Sequence, residues 1–175
     1  MVASEVRIRS ATQADVAELV EIGMRTFEDT YAHANDPSEL AVHIAESYTE
    51  PVIAGALRDP NVSYLVAEAA GRIIGFAKIV VESREDGIDA ARPAELNQLY
   101  VEADQHGRGV GRALLDACTE RARQVGCDVL WLGVWERNPK AIGFYERLGF
   151  RHVGTHGFRF GSELQTDLLM ALPLA

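Results

Sequence analysis

The 175-residue chain reads as one mixed α/β domain, a sheet with helices on both faces. Three observations carry this. Short β-rich segments are punctuated by turn residues, as where SYLVAEA at 63–69 and RIIGFAKIVVE flank Ala70-Gly71. Longer segments repeat apolar residues at helical spacing behind capping residues. The order is strand, helices, three strands, helix, strand, helix, two strands, which makes seven strands with helices interleaved.

VRIR at 6–9 is the first strand. Thr12 and Asp15 form a capping-box-like start, and Val16, Leu19, Val20, Gly23 and Phe27 continue it as a helical stripe. After HANDP at 33–37 come a second helix near 38–48 and a short third one with Pro51 in its first turn. The hairpin at 63–82 follows, then a loop at 85–93 and the strand AELNQLYV. From Gly109 to Gln124 the stripe Val110, Ala113, Leu114, Ala117, Cys118 and Ala122 predicts a helix that Gly126 ends. DVLWLGVW is apolar on both faces, as a central strand is. Asn138 caps a last helix with Pro139 at its first position and Gly149 at its end, and strands at 150–160 and 165–172 complete the chain.

No apolar run is long enough to span a bilayer, and MVASEVRIRS lacks the basic-then-apolar layout of a signal peptide, so a cytoplasmic location is the default expectation. Cys118 and Cys127 read as buried thiols rather than a disulfide or a metal site. The net charge of −9 argues against a nucleic-acid binder. Residues 1–60 hold four Arg, no Lys and eleven acids, so the acidity is concentrated in the first third. That serves solubility, or it attracts a cationic substrate. The oligomeric state is left open between monomer and homodimer.

LNQLYV runs through a short loop into HGRGVG, and a helix starts at once. Free amides at a helix start bind phosphate, and Arg108 and Arg112 flank the glycines at 107, 109 and 111. The spacing is neither a dinucleotide fingerprint nor a Walker loop, and a plain tight turn explains the glycines alone about as well. Tyr145, on the helix behind Asn138, is a core residue by spacing or a proton donor to a leaving group. Glu95, opening its strand, is a solvated end or a proton acceptor. Trp131 and Trp135 read as packing residues, and the five His as structural or exposed.

The succession LNQLYV, glycine turn and NPKAIGFYERLGF resembles the GNAT superfamily of acyl-CoA-dependent N-acyltransferases over nearly the whole chain. RTFEDTY at 25–31, LWLGVWERNPKAIGFYERLGF and GTHGFRFGSELQTDLLM at 154–170 are similar to bacterial polyamine N-acetyltransferases of the PaiA type. The resemblance implies a mostly antiparallel seven-stranded sheet in which two parallel strands splay apart to admit acetyl-CoA, the acyl-donor co-substrate. It implies that the Leu99 and Val101 backbone pairs with the pantetheine arm. His106 stands where the family carries Arg or Gln, ahead of a cradle of Gly107, Arg108, Gly109, Val110, Gly111 and Arg112 for the pyrophosphate. Asn138 then touches the CoA arm and Tyr145 faces its sulfur.

The implied reaction is attack of a primary amine on the thioester. An amine with a pKa of roughly 10.4 arrives protonated and must lose a proton first. Glu95, through water, is the expected base; the Val101 amide the oxyanion donor; Tyr145 the acid that protonates the thiolate. Glu28, Asp29 and Tyr31 are expected to line the site of a small cationic amine, with no nucleic acid, membrane or metal involved. A protein or peptide amine, or an amino-bearing antibiotic, is the alternative acceptor, and a CoA-binding regulator with little catalysis is the alternative function.

Overall fold

The computed structural model describes residues 5–174. Its strands are β1 (Arg7–Ser10), β2 (Val62–Ala69), β3 (Arg72–Val81), β4 (Pro93–Val101), β5 (Val129–Trp135), β6 (Arg151–Phe160) and β7 (Glu163–Pro173). They form one sheet in the order β1-β2-β3-β4-β5-β7-β6. Every neighbouring pair is antiparallel except β4 and β5. The helices are α1 (Val16–Tyr31), α2 (Pro37–Ser47), α3 (Glu50–Ala56), α4 (Val110–Gln124) and α5 (Pro139–Arg147).

Two cores lie on opposite faces of the sheet. One face packs Leu19, Ile22 and Phe27 of α1 and Ile53 of α3 against Val66, Ile73 and Phe76. The other packs Leu114, Leu115 and Cys118 of α4 against Ala67, Ala77, Ile79 and Leu130. Both cysteines are buried and free; burial pushes the Cys118 thiol up to about 12. Trp131 and Trp135 are buried as expected, and the Trp131 indole N–H donates to the Ser83 carbonyl (2.9 Å). No helix among the described residues is long and apolar enough to cross a membrane.

The turns obey the glycine logic where the backbone demands it. Ala70 and Gly71 both take positive φ (51° and 73°), as a two-residue hairpin turn needs. A single 3-10 turn, Gln13–Asp15, precedes α1. The Thr12 amide donates to Asp15 Oδ2 (2.7 Å), and Arg9 forks onto both Asp15 oxygens at 2.9 Å. These bonds, Arg9 first, hold the Asp15 carboxyl down at about 2. Its stabilising effect is therefore complete above the ordinary carboxylate range, roughly pH 4, and is lost as pH falls toward 2. Asp15→Asn should flatten the stability–pH curve over that window, measured by urea unfolding at several pH values. A curve as steep as wild type would remove Asp15 from the account.

The fork between β4 and β5 positions the site. The two strands pair only from Pro93↔Val129 to Glu95↔Trp131. On its other side β4 continues with β3 to Val101, with a bulge that leaves Asn97 unpaired between Leu96↔Ile79 and Gln98↔Lys78. Bulges bend and twist a strand, and here β4 leaves β5 beside one. The Glu102 amide donates to the Ile74 carbonyl (2.9 Å). This makes Gly75–Val101 and Ala77–Leu99 pairs of the kind without mutual hydrogen bonds. The N–H and C=O of Leu99 and Val101 consequently point away from β3, into the fork.

Candidate active site

The fork ends at the glycine turn. Gly107 and Gly109 have φ of 77° and 82°, and no atom lies within 4 Å of where a Cβ would stand on either. Glycine is therefore required by backbone conformation, not crowding. Gly109 occupies the cap position, so the amides of Val110, Gly111 and Arg112 open α4 without helical partners. His106 links this turn to the fork: its Nε2 bonds the Val101 carbonyl (2.8 Å) and its Nδ1 meets Lys140 Nζ (3.2 Å). Lys140 as donor leaves Nε2–H to donate to the carbonyl. The sequence reading did not place Lys140 here, and it adds a cation beside the amides. Arg112 is paired with Asp116 one turn on (3.2 Å), whereas Arg108 projects from the turn. The Asn138 side chain accepts from the Ala141 amide (3.2 Å), capping α5 at the same end of the fork.

Tyr145 enters from α5. It is buried against Phe144 and Phe150, with ring centroids 5.2 and 5.6 Å away. Its hydroxyl is in electrostatic reach of Tyr31 and Tyr100, which belong to the opposite face. The Tyr100 hydroxyl lies against those of Tyr31 and Tyr48. Burial raises the pKa of all four phenols, so each keeps its proton at neutral pH.

Free helix-start amides, strand edges left unpaired by the fork and a buried phenol are thus contributed by β4, α4 and α5. A family model described as "Acetyltransferase (GNAT) family" matches residues 18–150. The chain belongs to the GNAT acetyltransferase family. Acetyl-CoA is accordingly its acyl donor and an amine its acceptor. An uncharacterised N-acetyltransferase of Mycobacterium bovis is 32% identical over 160 residues, 91% of this chain and 98% of that one. Among solved structures, a PaiA N-acetyltransferase from Thermoplasma acidophilum in complex with coenzyme A superposes with a TM-score of 0.79 at 21% identity, covering 97% and 99% of the two chains. A ribosomal-protein-alanine N-acetyltransferase from Brucella melitensis gives 0.72 at 30% identity, covering 95% and 99%.

In this GNAT acetyltransferase the face of the fork turned toward α1 and α2 carries most of the remaining polar groups. Glu95 sits at the closed end, where β4 and β5 are still paired. Ser83 Oγ donates to one of its oxygens (2.8 Å) and Asn97 Nδ2 to the other (2.9 Å). Gln98 follows; its Nε2 contacts the Tyr48 hydroxyl (3.4 Å), while its Oε1 is buried without a partner. Across the fork, His156 Nδ1 meets Glu85 Oε2 at 3.0 Å, and its Nε2 stands 3.6 Å from Asp167 Oδ2. Burial raises the Asp167 pKa against the lowering effect of His156.

The three residues expected to bind the acceptor separate. Tyr31 faces the fork, its ring 5.9 Å from Trp135 and 4.5 Å from Phe27. Glu28 and Asp29 are exposed. Asp29 lines a different groove with Glu21, Arg25, Arg72 and Glu102. There Arg25 and Arg72 both bind the buried Glu102 carboxylate and tie α1 to the sheet. The helix explains the split: Phe27 and Tyr31 share the stripe four residues apart, and Asp29 lies on another side. The reading of the sequence missed Gln98, Glu85, His156 and Asp167.

Proposed function

We propose that the acceptor is a polyamine such as spermidine or spermine, acetylated by direct attack of a primary amine on acetyl-CoA. The observation that carries this is the charge of the acceptor face. Glu85, Glu95 and Asp167 stand around the fork on the side of α1 and α2, and among the described residues no Arg or Lys hydrogen-bonds any of them; Lys78, cross-strand from Gln98 and within electrostatic reach of Glu95, offsets part of that charge. An acidic, partly dry cleft attracts a cation, and desolvation there lowers its pKa. The rings of Tyr31 and Trp135 suit the methylene segments between nitrogens. The fold likeness to the PaiA enzyme is consistent with this reading.

In this reading the amides of the glycine turn, with Arg108, Arg112 and Lys140, hold the pyrophosphate. Leu99 and the Val101 amide run along the pantetheine arm near Asn138; the Val101 carbonyl is already occupied by His106. The acceptor enters from the α1 side. Glu95, its oxygens held by Ser83 and Asn97, takes the amine proton through water. The nitrogen lone pair then forms the C–N bond. The oxyanion is met by the Val101 amide, and the departing thiolate receives the Tyr145 proton. The second proton lost by the nitrogen restores the phenol.

Glu95→Gln is expected to move the activity–pH profile upward, because the variant depends on amine that is already unprotonated in solution. Initial thiol-release rates from pH 6 to 10 test this. A superimposable profile would assign the base elsewhere.

A further inference from the structure

The mechanism leaves Gln98, Glu85, His156 and Asp167 without a task. Strand register puts Gln98, His156 and Asp167 on one face of the fork, and Glu85 joins them from the loop before β4 through His156. Gln98 and Glu95 flank the bulge on β4. Asp167 is paired with Trp135 of β5 and with His156 of β6. The His156 ring reaches back across β7 to lie over Gly133: a Cβ at 133 would stand 2.8 Å from Nε2 and 3.1 Å from Asp167 Oδ2. Glycine at 133 therefore makes room for the pair, two residues beyond the last β4–β5 contact.

The hydrogen-bond inventory at this place is lopsided. The His156 ring stands between two carboxylates, Nδ1 3.0 Å from Glu85 Oε2 and Nε2 3.6 Å from Asp167 Oδ2. The second spacing is too long for a good hydrogen bond, so one imidazole serves two acids and leaves Asp167 without a close donor. Asp167 is buried, and its residue is 8% exposed. Gln98 Oε1, on the same face across the fork, is the sole buried side-chain polar atom without a partner among the described residues. A buried acceptor without a donor is costly in a native fold and calls for one. An ammonium supplies three N–H donors and a positive charge.

We propose that Asp167, His156 and Gln98 form the ammonium-recognition site of the acceptor, with Glu85 holding the His156 ring in place. This rests on the acetyl-transfer reading of the same cleft and adds the residues that select the acceptor. The selection has a chemical direction. A carboxylate next to the reacting nitrogen meets Asp167, Glu85 and Glu95 and is repelled, so a diamine is favoured over the amino acid built on the same chain.

Cadaverine and lysine make the comparison directly, since lysine is cadaverine with an α-carboxylate. In thiol-release assays wild type should prefer cadaverine, and Asp167→Asn should raise the cadaverine KM by about 30-fold or more with kcat changed less than about threefold. The KM for acetyl-CoA should stay within about twofold, which also reports correct folding. Glu85→Gln, which keeps the imidazole but weakens its anchor, should raise the same KM by about fivefold. Calorimetric titration with spermidine reads the site without turnover, and binding should weaken in both variants. Unchanged KM and spermidine affinity in both, with turnover intact, would overturn this assignment alone. Loss of spermidine binding in Asp167→Asn, with no thiol release from wild type on any amine, would keep the ammonium site and overturn the transfer reading.

Discussion

Replacing Tyr145 by Phe is expected to lower the turnover number about 100-fold or more and to leave the KM for acetyl-CoA nearly unchanged. The substitution removes one oxygen from a ring that keeps its packing against Phe144 and Phe150. The fold and the coenzyme site should therefore survive. Burial holds the phenol pKa above its ordinary value, so the wild-type residue carries its proton throughout the neutral range. Its proton moves to sulfur as the C–S bond breaks, and the second proton of the amine nitrogen replaces it, so that no free phenolate has to persist. Steady-state kinetics at saturating amine measure the effect. An equal fall in kcat/KM for a donor with a more acidic thiol would contradict the role, because a better leaving group needs less help.

The second large effect is at the glycine turn. Gly109→Asp should raise the KM for acetyl-CoA by about 100-fold while changing stability modestly. Gly109 adopts φ 82°, a region in which Asp is tolerated better than most residues. Open space surrounds its Cβ direction, so no clash is introduced. The new carboxylate would sit at the start of α4, where it satisfies the free amides itself and repels the pyrophosphate. Two measurements separate the contributions: thermal unfolding without ligand, and acetyl-CoA titration. Gly109→Ala is the control for backbone strain alone, and its KM should move far less. If Ala and Asp raised the KM equally, conformation rather than charge at the amides would be the operative factor.

Most of the architecture was legible because its signals are local. Apolar periodicity found all seven strands and all five helices, and Gly126 and Gly149 end α4 and α5 at positive φ as read. Boundaries moved by one to three residues where a capping residue and the first helical residue trade places, as at Gly109 and Glu50. The fork was legible only through family resemblance. Nothing in the alternation of LNQLYV says that β4 stops pairing with β5 at Glu95, since that depends on the bulge at Asn97 and the length of the partner.

The acceptor side was harder for a similar reason. Glu28 and Asp29 were grouped with Tyr31 for the acidity of the N-terminal third, although helical geometry separates Asp29 from Tyr31. His156 and Asp167 are eleven positions apart in sequence but directly cross-strand. The β6–β7 turn at Gly161 does imply that pairing, because Phe160↔Glu163 and His156↔Asp167 are symmetric about it. Glu85 lies in an irregular loop and carries no periodic signal at all. His106 was read only as standing where the family carries Arg or Gln, and its bonds to Val101 and Lys140 are tertiary facts.

The most direct test of the account is thiol release from acetyl-CoA by the purified protein against spermidine, spermine, putrescine, a lysine-bearing peptide, an alanyl peptide and an aminoglycoside. The account predicts saturable release with spermidine or spermine, suppressed by salt and lost in Tyr145→Phe. Release with a peptide or the aminoglycoside alone would keep the transferase and contradict the polyamine assignment. Measurable binding of acetyl-CoA with no release from any amine would contradict acetyl transfer itself and leave a coenzyme-binding regulator.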